Sequence, residues 1–282
     1  MAILWIFMPK FVWVRKLILF VFLICFGKAN ASNLQPIGAR SAALSHATIA
    51  ADGILSAFQN QAALATLENF SAGFAIENRF LVPELNIGAF AMAMPTDIGV
   101  INMGVQRFGN SLYAESRYGL GFSKLFNEKV SLGLQLNYFE TRLGENYGTS
   151  GRLVGEFGFR VKVSEDLFVG GHLFNPTRVN ISKNLTEPIP TTFRLGAQYS
   201  FSDQLLTFAE INKPINGKAQ VKAAFEYQFL EKFYLRAGLS TLPIQNSFGF
   251  GIQLGALRFD LAAQYNQLLG FSPQVGLIYQ PK

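Results

Sequence analysis

The residues that could perform chemistry are few, and they form no catalytic pattern. The chain has two histidines, His46 and His172, and one cysteine, Cys25. A hydrolytic site needs a histidine beside a nucleophile and a third group that orients it, and the sequence gives His172 no evident partner. No Gly-x-Ser-x-Gly elbow, phosphate-binding loop or His/carboxylate metal spacing occurs. The sequence therefore predicts no catalytic residues, no metal site and no cofactor.

The composition favours a membrane protein. Half of the 282 residues are hydrophobic and only 15% are charged, yet no apolar run beyond residue 31 is long enough for a helical span. Phe and Gly are abundant, with 28 and 26 copies, as suits a membrane barrel. The net charge is +6, but the Lys and Arg residues are scattered singly, which argues against nucleic-acid binding.

Residues 1–31 have the pattern of a cleaved signal peptide. Basic residues within 10–16 precede an apolar core at 17–26, and Ala29-Asn30-Ala31 supplies the small-x-small cleavage pattern. A retained anchor is the alternative, but the apolar core is too short to span a bilayer. Cys25 lies in this leader, so the mature chain is expected to have no disulfide.

From residue 69 onward, apolar and polar residues alternate as in half-buried strands. Leu257, Phe259 and Leu261 fall on one face of a strand, with Arg258 and Asp260 on the other. Strands are predicted at 69–79, 85–94, 97–107, 113–125, 129–142, 152–163, 166–174, 191–201, 204–212, 218–229, 232–241, 245–255, 257–266 and 272–281.

The links between these strands indicate a membrane barrel. Links after even-numbered strands are short and those after odd-numbered strands tend to be longer, which is typical of periplasmic turns and external loops. In lipid every backbone polar group must pair within the protein, and a closed sheet achieves this. The predicted fold is an all-β transmembrane antiparallel barrel of about 14 strands at 69–282. It is expected to contact lipid in the outer membrane of a Gram-negative bacterium.

In such a barrel the apolar faces meet lipid and the polar faces line the lumen. The expected lumen residues are Glu156, Arg160, Lys162, His172, Arg194, Lys222, Glu226, Arg236, Arg258 and Asp260. Because both signs of charge occur, pairing across strands is favoured over a charge-selective pore. The strands at 166–174 and 204–212 alternate poorly, which predicts a bulge or an apolar lumen patch there.

Residues 32–68 do not alternate like strands, and they must lie under the barrel or inside it. Leu55, Phe58, Ala62 and Leu67 have helical spacing. Asp52 is the expected N-cap of that helix. The segment is therefore predicted to be a partly helical plug.

This segment resembles the opening of a known family. The matching stretches are Ile37-Gly-Ala-Arg-Ser-Ala-Ala-Leu44, Ala51-Asp52 and Phe58-Gln-Asn-Gln-Ala-Ala-Leu-Ala65. They resemble the PorV/PorQ family, FadL-like outer-membrane proteins of the Bacteroidetes lineage, although Asn60-Gln61 stands in place of the family's Asn-Pro. The expected plug-motif residues are Gly38, Ala39, Arg40, Asp52, Asn60 and Leu64.

The resemblance implies a barrel of fourteen strands and leaves its function open between two classes. A PorV/PorQ-like accessory of type IX secretion or surface-protein export, with secretion proteins or secreted cargo as partners, is the favoured hypothesis. The alternative is a FadL-like passive channel for a hydrophobic small molecule. A general porin is a third possibility, against which the balanced lumen charges and the predicted plug both argue.

Overall fold

The computed structural model describes residues 36–144, 148–180 and 189–281. The signal peptide predicted at 1–31 lies outside these residues. Fourteen β-strands close into one antiparallel barrel, which confirms the predicted fold class. The strands are β1 Ser71–Asn78, β2 Asn86–Thr96, β3 Gly99–Gly109, β4 Tyr113–Phe126, β5 Val130–Leu143, β6 Gly148–Lys162, β7 Leu167–Phe174, β8 Thr192–Ser202, β9 Leu205–Pro214, β10 Gln220–Leu230, β11 Phe233–Thr241, β12 Ile244–Leu254, β13 Leu257–Asn266 and β14 Gly270–Tyr279.

Each strand pairs with its neighbour in sequence, and β14 closes the barrel against β1, with Ala72 opposite Tyr279 and Glu77 opposite Gln274. The predicted bounds lie within two residues of the observed ones, except that β6 begins at Gly148 rather than at residue 152. Closure leaves no free sheet edge for lipid to meet, which is the condition for a stable barrel in a membrane.

The two ends of the barrel differ in the length of their links. At one end, called the short-turn end, the links are 97–98, 127–129, 163–166, 203–204, 231–232 and 255–256. At the other, called the loop end, they are 79–85, 110–112, 144–147, 175–191, 215–219, 242–243 and 267–269. The predicted asymmetry is therefore present, although the link at 242–243 is as short as any turn. Because the strand number is even, β1 begins and β14 ends at the short-turn end.

Most strands alternate as the sequence predicts. On β13, Leu257, Phe259 and Leu261 are exposed on the outer face, while Asp260 is buried inside the barrel. The outer face is therefore apolar, as a wall in contact with lipid tails requires.

The inner face of β2 departs from the expected polar lining. Its inward residues are Ile87, Ala89, Ala91 and Ala93, and all four are buried. They belong to an apolar cluster with Ile54, Leu55 and Phe58 of the N-terminal segment. This sector of the lumen is apolar because it faces another part of the chain rather than water.

Residues 36–68 are partly helical, as predicted, but the helical spacing across 53–67 does not correspond to one continuous helix. The segment contains one turn of α-helix, α1 (Ala39–Ala43), and two 3₁₀ helices, Ile54–Phe58 and Gln61–Thr66. Asn60 has an extended backbone between the two 3₁₀ helices, which breaks the helical path. Among the described residues, no helix is long and apolar enough to cross a bilayer.

Asp52 is not the helix N-cap, which corrects a second prediction. Gly53 occupies that position with φ at +116°, and no side chain caps the helix. The carboxylate of Asp52 instead pairs with Arg40, at 3.1 Å from Nη1. Asp52 therefore pairs with Arg40 of the same segment instead of capping the helix that begins at Ile54.

The N-terminal segment lies inside the barrel and contacts strands on all sides of its inner wall. The helix α1 packs on β11–β14, Ile54–Phe58 packs on β1–β3, and Gln61–Thr66 packs on β3–β6. Inward glycines make room for it. A Cβ added to Gly158 would lie 2.1 Å from Oδ1 of Asn60, and one added to Gly249 would lie 2.3 Å from Cβ of Ala43.

The two strands that alternate poorly in sequence differ in the structure. Strand β7 keeps a regular register with both neighbours, and its Phe168 and Phe174 contact Arg160 and Arg117 in the lumen. The β8–β9 register shifts beside Ser202. The β6–β7 ladder also covers only part of β6, from Glu156 to Lys162.

Candidate functional site

The lumen contains a chain of six charged groups with alternating sign. It runs in the order Asp52, Arg40, Glu226, Arg236, Asp260 and Arg258. Nη1 of Arg236 donates to Asp260 at 2.7 Å, and Nε of Arg258 donates to the other oxygen of Asp260 at 3.0 Å. Alternating signs offset the cost of removing each charge from water. The chain joins the N-terminal segment to β10, β11 and β13.

Asp52 is the accessible end of this chain. Its side chain is 61% exposed although it lies within the barrel. Burial alone would raise the pKa of its carboxyl, but the charges of Arg40 and then Arg160 hold that pKa below its ordinary value. Asp52 is therefore an anion at neutral pH, beside the short-turn mouth.

A second ion-pair cluster surrounds Glu210 of β9. Arg194 donates to its two oxygens at 2.8 and 2.9 Å, and Lys222 donates at 3.1 Å. The backbone N–H of Ile49 donates to the same carboxylate at 3.1 Å. Arg194 and Lys222 also donate to the carbonyl oxygen of His46, at 3.0 and 3.2 Å. The cluster therefore holds residues 46–49 of the N-terminal segment against β8–β10.

His46 lies inside this positive environment. Burial, followed by the charges of Lys222 and Arg194, lowers the pKa of its imidazole well below the ordinary value. Its Nδ1 lies 2.9 Å from Oγ of Ser41. The imidazole is therefore neutral at neutral pH, and its hydrogen bond ties α1 to the turn that follows.

A third cluster is centred on Glu156 of β6. Its Oε2 lies 2.8 Å from Nε2 of His172, and Arg117 and Asn137 bond its other oxygen. No partner for His172 was evident from the sequence. In the structure its partner is Glu156, across the β6–β7 ladder. With Arg117 on the second oxygen of Glu156, the arrangement neutralises charge and contains no nucleophile.

Arg117 also contacts three aromatic rings. Its Cζ lies 5.7 Å from the ring centre of Phe58, 5.8 Å from that of Phe139 and 5.9 Å from that of Phe174. Phe139 and Phe174 pack edge to face at 5.7 Å. A guanidinium at these distances is attracted to aromatic faces.

Arg160 acts as a further anchor. Its Nε donates to the carbonyl of Ala50 at 2.7 Å, and its guanidinium lies 3.9 Å from the ring centre of Phe168. Arg160 and the three clusters therefore lie inside the barrel, and each cluster includes at least one side chain that contacts the N-terminal segment.

The predicted motif residues of the N-terminal segment occupy distinct places. Nδ2 of Asn60 donates to the carbonyls of Ile49 at 2.7 Å and Phe159 at 3.0 Å, and its Oδ1 accepts from Ala62 N at 3.2 Å. Leu64 is fully buried in the apolar cluster. Gly38 has φ at +132° and lies against Leu55, and Ala39 lies beneath Gly276. Asn60 thus bonds to both the segment and the wall.

Small residues form a row beneath the first 3₁₀ helix. Gly73 of β1 pairs with Ala91 of β2, and Ala91 pairs with Gly104 of β3. A Cβ added to Gly73 would lie 2.7 Å from Cγ2 of Ile54, and one added to Gly104 would lie 3.0 Å from the ring of Phe58. These apolar side chains fill the groove that the row leaves.

A cavity lies beside the segment at the short-turn end. It has a volume of about 30 Å³ and is lined by residues that include Arg40, Asp52, Leu55, Gln59 and Arg258. Within the described residues, no three His, Cys, Asp or Glu side chains are grouped as metal ligands. The site consists of an apolar groove and a set of charged and hydrogen-bonding anchors.

No protein-family description and no curated protein sequence matches this chain. Solved structures do match. The Pseudomonas putida toluene transporter TodX superposes with a TM-score of 0.66 at 14% identity, covering 88% of this chain and 99% of that one. The chain has a FadL-like fold. The Ralstonia pickettii toluene transporter TbuX gives 0.65 at 13% identity, covering 89% and 100%. A Pseudomonas aeruginosa FadL homologue gives 0.64 at 12% identity, covering 86% and 98%.

At these identities the likeness establishes the fold alone. The three structures are named as transport proteins or as a FadL homologue, and none is named as an enzyme. No comparison supports the PorV/PorQ part of the resemblance.

Arg117 and Glu210 are among the charged groups of this FadL-like lumen that were missed from the sequence. Arg117 and Glu210 stand at the centre of the third and second clusters. The alternation of Tyr118, Leu120 and Phe122 places Arg117 on the inner face, so a signal for Arg117 was present. The poor alternation of β9 concealed Glu210.

Proposed function

We propose that this FadL-like barrel is a passive channel for hydrophobic small molecules in the outer membrane of a Gram-negative bacterium. Residues 32–68 act as its plug. Two structurally similar proteins, TodX and TbuX, are named as toluene transporters. Their names suggest the class of solute, and the chemistry of the lumen supports it.

The observation that carries the proposal is the apolar cluster inside the lumen. It joins Ile54, Leu55 and Phe58 to the inner faces of β1, β2 and β3, and it continues to Phe108 near the loop end. A water-filled porin presents a polar interior instead. An apolar interior surface lowers the free energy of an apolar solute relative to water.

A general porin agrees less well with the structure. The N-terminal segment contacts nearly every strand around the wall, and the charged lumen residues pair with one another or with its backbone. These groups already have partners within the protein, so they are not free to line a wide aqueous path. An apolar solute can replace the apolar contacts between the N-terminal segment and the wall, and it leaves these polar contacts intact.

A PorV/PorQ-like role in secretion remains a second hypothesis. It rests on the resemblance of residues 37–65 to that family's opening. In this structure the motif residues Arg40 and Asn60 bond to Glu226, Ile49 and Phe159 inside the barrel. They hold the plug in place, and this use does not require a secreted partner.

Deleting the gene in its native bacterium tests both hypotheses together. We expect slower uptake of the hydrophobic fluorescent probe N-phenyl-1-naphthylamine and an unchanged profile of secreted and surface proteins. Complementation with the intact gene restores the rate. Unchanged uptake with loss of secreted proteins would refute the channel and establish the secretion role.

A further inference from the structure

We propose that the outer wall of β3–β5 binds the phosphorylated head group of an outer-leaflet glycolipid near the loop end. Arg107 of β3 and Arg142 of β5 are the groups that contact its phosphate. The inference rests on the outer-membrane location given under the proposed function. It concerns the lipid around the wall rather than the solute in the lumen.

The outer faces of β4 and β5 show where the lipid tails end. Tyr118 and Tyr138 lie opposite each other on these strands and are both exposed, with ring centres 6.5 Å apart. Toward the short-turn end, the outward residues of β4 include Phe122 and Phe126. Tyrosines collect at the boundary between lipid tails and head groups, and the stretch 118–126 has about the length of one tilted crossing, 9–11 residues. The outward residues beyond the tyrosines, toward the loop end, therefore lie at the depth of the head groups.

The two arginines occupy the outward positions beyond this tyrosine row. Arg107 lies opposite Ser116 of β4, and Ser116 lies opposite Glu140 of β5. Arg142 lies one outward position further along β5, opposite Ala114. Ordinary strand spacings place the Cα atoms of the two arginines roughly 12 Å apart. Both side chains therefore point toward the lipid head groups from strands on either side of β4.

The strand between the two arginines has small outward residues. Ala114 and Ser116 are each 2% exposed although they lie on the outer face, so neighbouring side chains extend over them. The arginine side chains themselves are exposed. Guanidinium groups from β3 and β5 can therefore approach one ligand over β4, because no bulky side chain of β4 separates them.

Both arginines are without a partner. In the described part of the chain, no hydrogen bond or ion pair involves Arg107 or Arg142. Lys213, an outward cation of β9 near the same end, instead donates to the carbonyl of Gly217. Two unpaired guanidinium groups at head-group depth are free to bind an anion of the membrane surface.

A lipid phosphate matches this pair of groups. The planar guanidinium of arginine forms two parallel hydrogen bonds to phosphate oxygens. Below the tyrosine row, the exposed Leu120 and Leu136 lie opposite each other and offer an apolar wall to the acyl chains of the same lipid. The half-buried Glu140 is the single acid beside the two guanidinium groups, and this excess of positive charge favours an anion over a cation as the ligand.

Lipid binding by purified protein tests the site. The protein in a nonionic detergent is titrated with diphosphoryl lipid A, or with the same lipid after removal of both phosphates, and native mass spectrometry counts the bound lipid. Arg107→Gln/Arg142→Gln is expected to bind the diphosphoryl lipid about tenfold more weakly than the intact chain. Because neither arginine has a partner in the described protein, the variant is expected to fold normally.

Lys213→Gln/Lys218→Gln is the matched control. It removes the same amount of charge at the same end of the barrel, on β9 and on the link to β10, and it should bind the lipid like the intact chain. Equal binding by the arginine variant and the intact chain would overturn the site, as would equal binding of the two lipids. Displacement of the bound lipid by inorganic phosphate alone would overturn the lipid as the ligand.

Glu140→Gln tests the sign of the charge at the site. Removing this carboxylate should tighten binding of the diphosphoryl lipid, because it leaves the two guanidinium groups unopposed. Weaker binding would contradict direct contact between the phosphate and the arginines.

The failure of this inference is distinguishable from that of the channel. Lipid binding by an intact chain that gives no uptake of N-phenyl-1-naphthylamine would overturn the channel and leave the lipid site. Uptake of that probe by an intact chain that binds both lipids equally would support the channel and overturn the lipid site.

Discussion

Arg40 and Glu226 are joined by two hydrogen bonds of 2.8 Å each, from Nε and Nη2 of the guanidinium to the two carboxylate oxygens. This fork connects α1 to β10 across the lumen. It belongs to the longest chain of charges inside the described barrel, which continues through Arg236 and Asp260. This anchor of the plug is therefore electrostatic.

Replacing Arg40 with Met should release this anchor. The change leaves the buried Glu226 with one partner, and breaking a buried pair costs about 3–5 kcal/mol. We expect a lower urea midpoint and faster protease cleavage of the plug. Arg107→Met, which alters an exposed side chain of β3, serves as the control. Equal midpoints for the two variants would show that the fork does not stabilise the plug.

Gly158 and Gly155 provide a matched pair on β6. A Cβ at Gly158 would lie 2.1 Å from Oδ1 of Asn60, whereas nothing lies within 4 Å of a Cβ at Gly155. We expect Gly158→Ala to destabilise the protein by about 1–3 kcal/mol, and Gly155→Ala to change stability little. Thermal unfolding in detergent micelles measures both.

Combining Gly158→Ala with Asn60→Ala identifies the cause of that loss. Asn60→Ala alone removes hydrogen bonds to Ile49, Phe159 and Ala62, which costs about 1–3 kcal/mol. The double variant also removes the oxygen that crowds residue 158. The stability lost by the double variant should therefore be smaller than the sum of the two single losses. Additive losses would show that the clash with Asn60 is not the cause of the strain at residue 158.

His46 should make stability depend on pH in the mildly acidic range. Burial and the charges of Lys222 and Arg194 lower its folded-state pKa well below the ordinary value, so the unfolded chain binds the proton more readily. Stability is then complete above about pH 6.5 and falls as pH decreases, by at most about 1.4 kcal/mol per pH unit. His46→Gln should flatten this slope when urea midpoints are compared between pH 7 and 5. An unchanged slope would assign the dependence to other groups.

The barrel could be predicted from the sequence because lipid on the outer face and a polar lumen on the inner face impose a regular alternation of apolar and polar residues. Strand β13 alternates Leu257, Phe259 and Leu261 with Arg258 and Asp260, and the turn lengths then give the topology. On β2, however, inward Ala residues alternate with outward Phe90 and Met92. Both faces are apolar, so the pattern could not show that a second part of the chain covers the inner one.

The contacts of the site could be predicted less well, since they depend on register and on the path of the plug. His172 is bonded to Glu156 because the β6–β7 ladder sets Gly158 opposite His172 and Phe174 opposite Glu156. Sequence alone does not determine that register. The helical spacing within 53–67 correctly indicated helical structure but not the break at Asn60, where the extended backbone separates two 3₁₀ helices.

The most direct test of the channel compares two solutes in the same cells. Host cells with and without the intact protein are given N-phenyl-1-naphthylamine or the hydrophilic dye lucifer yellow, and the uptake rates are compared. The apolar groove and the paired lumen charges predict faster uptake of the hydrophobic probe alone. Faster entry of the hydrophilic dye, or no gain for the hydrophobic probe, would contradict a channel for hydrophobic small molecules.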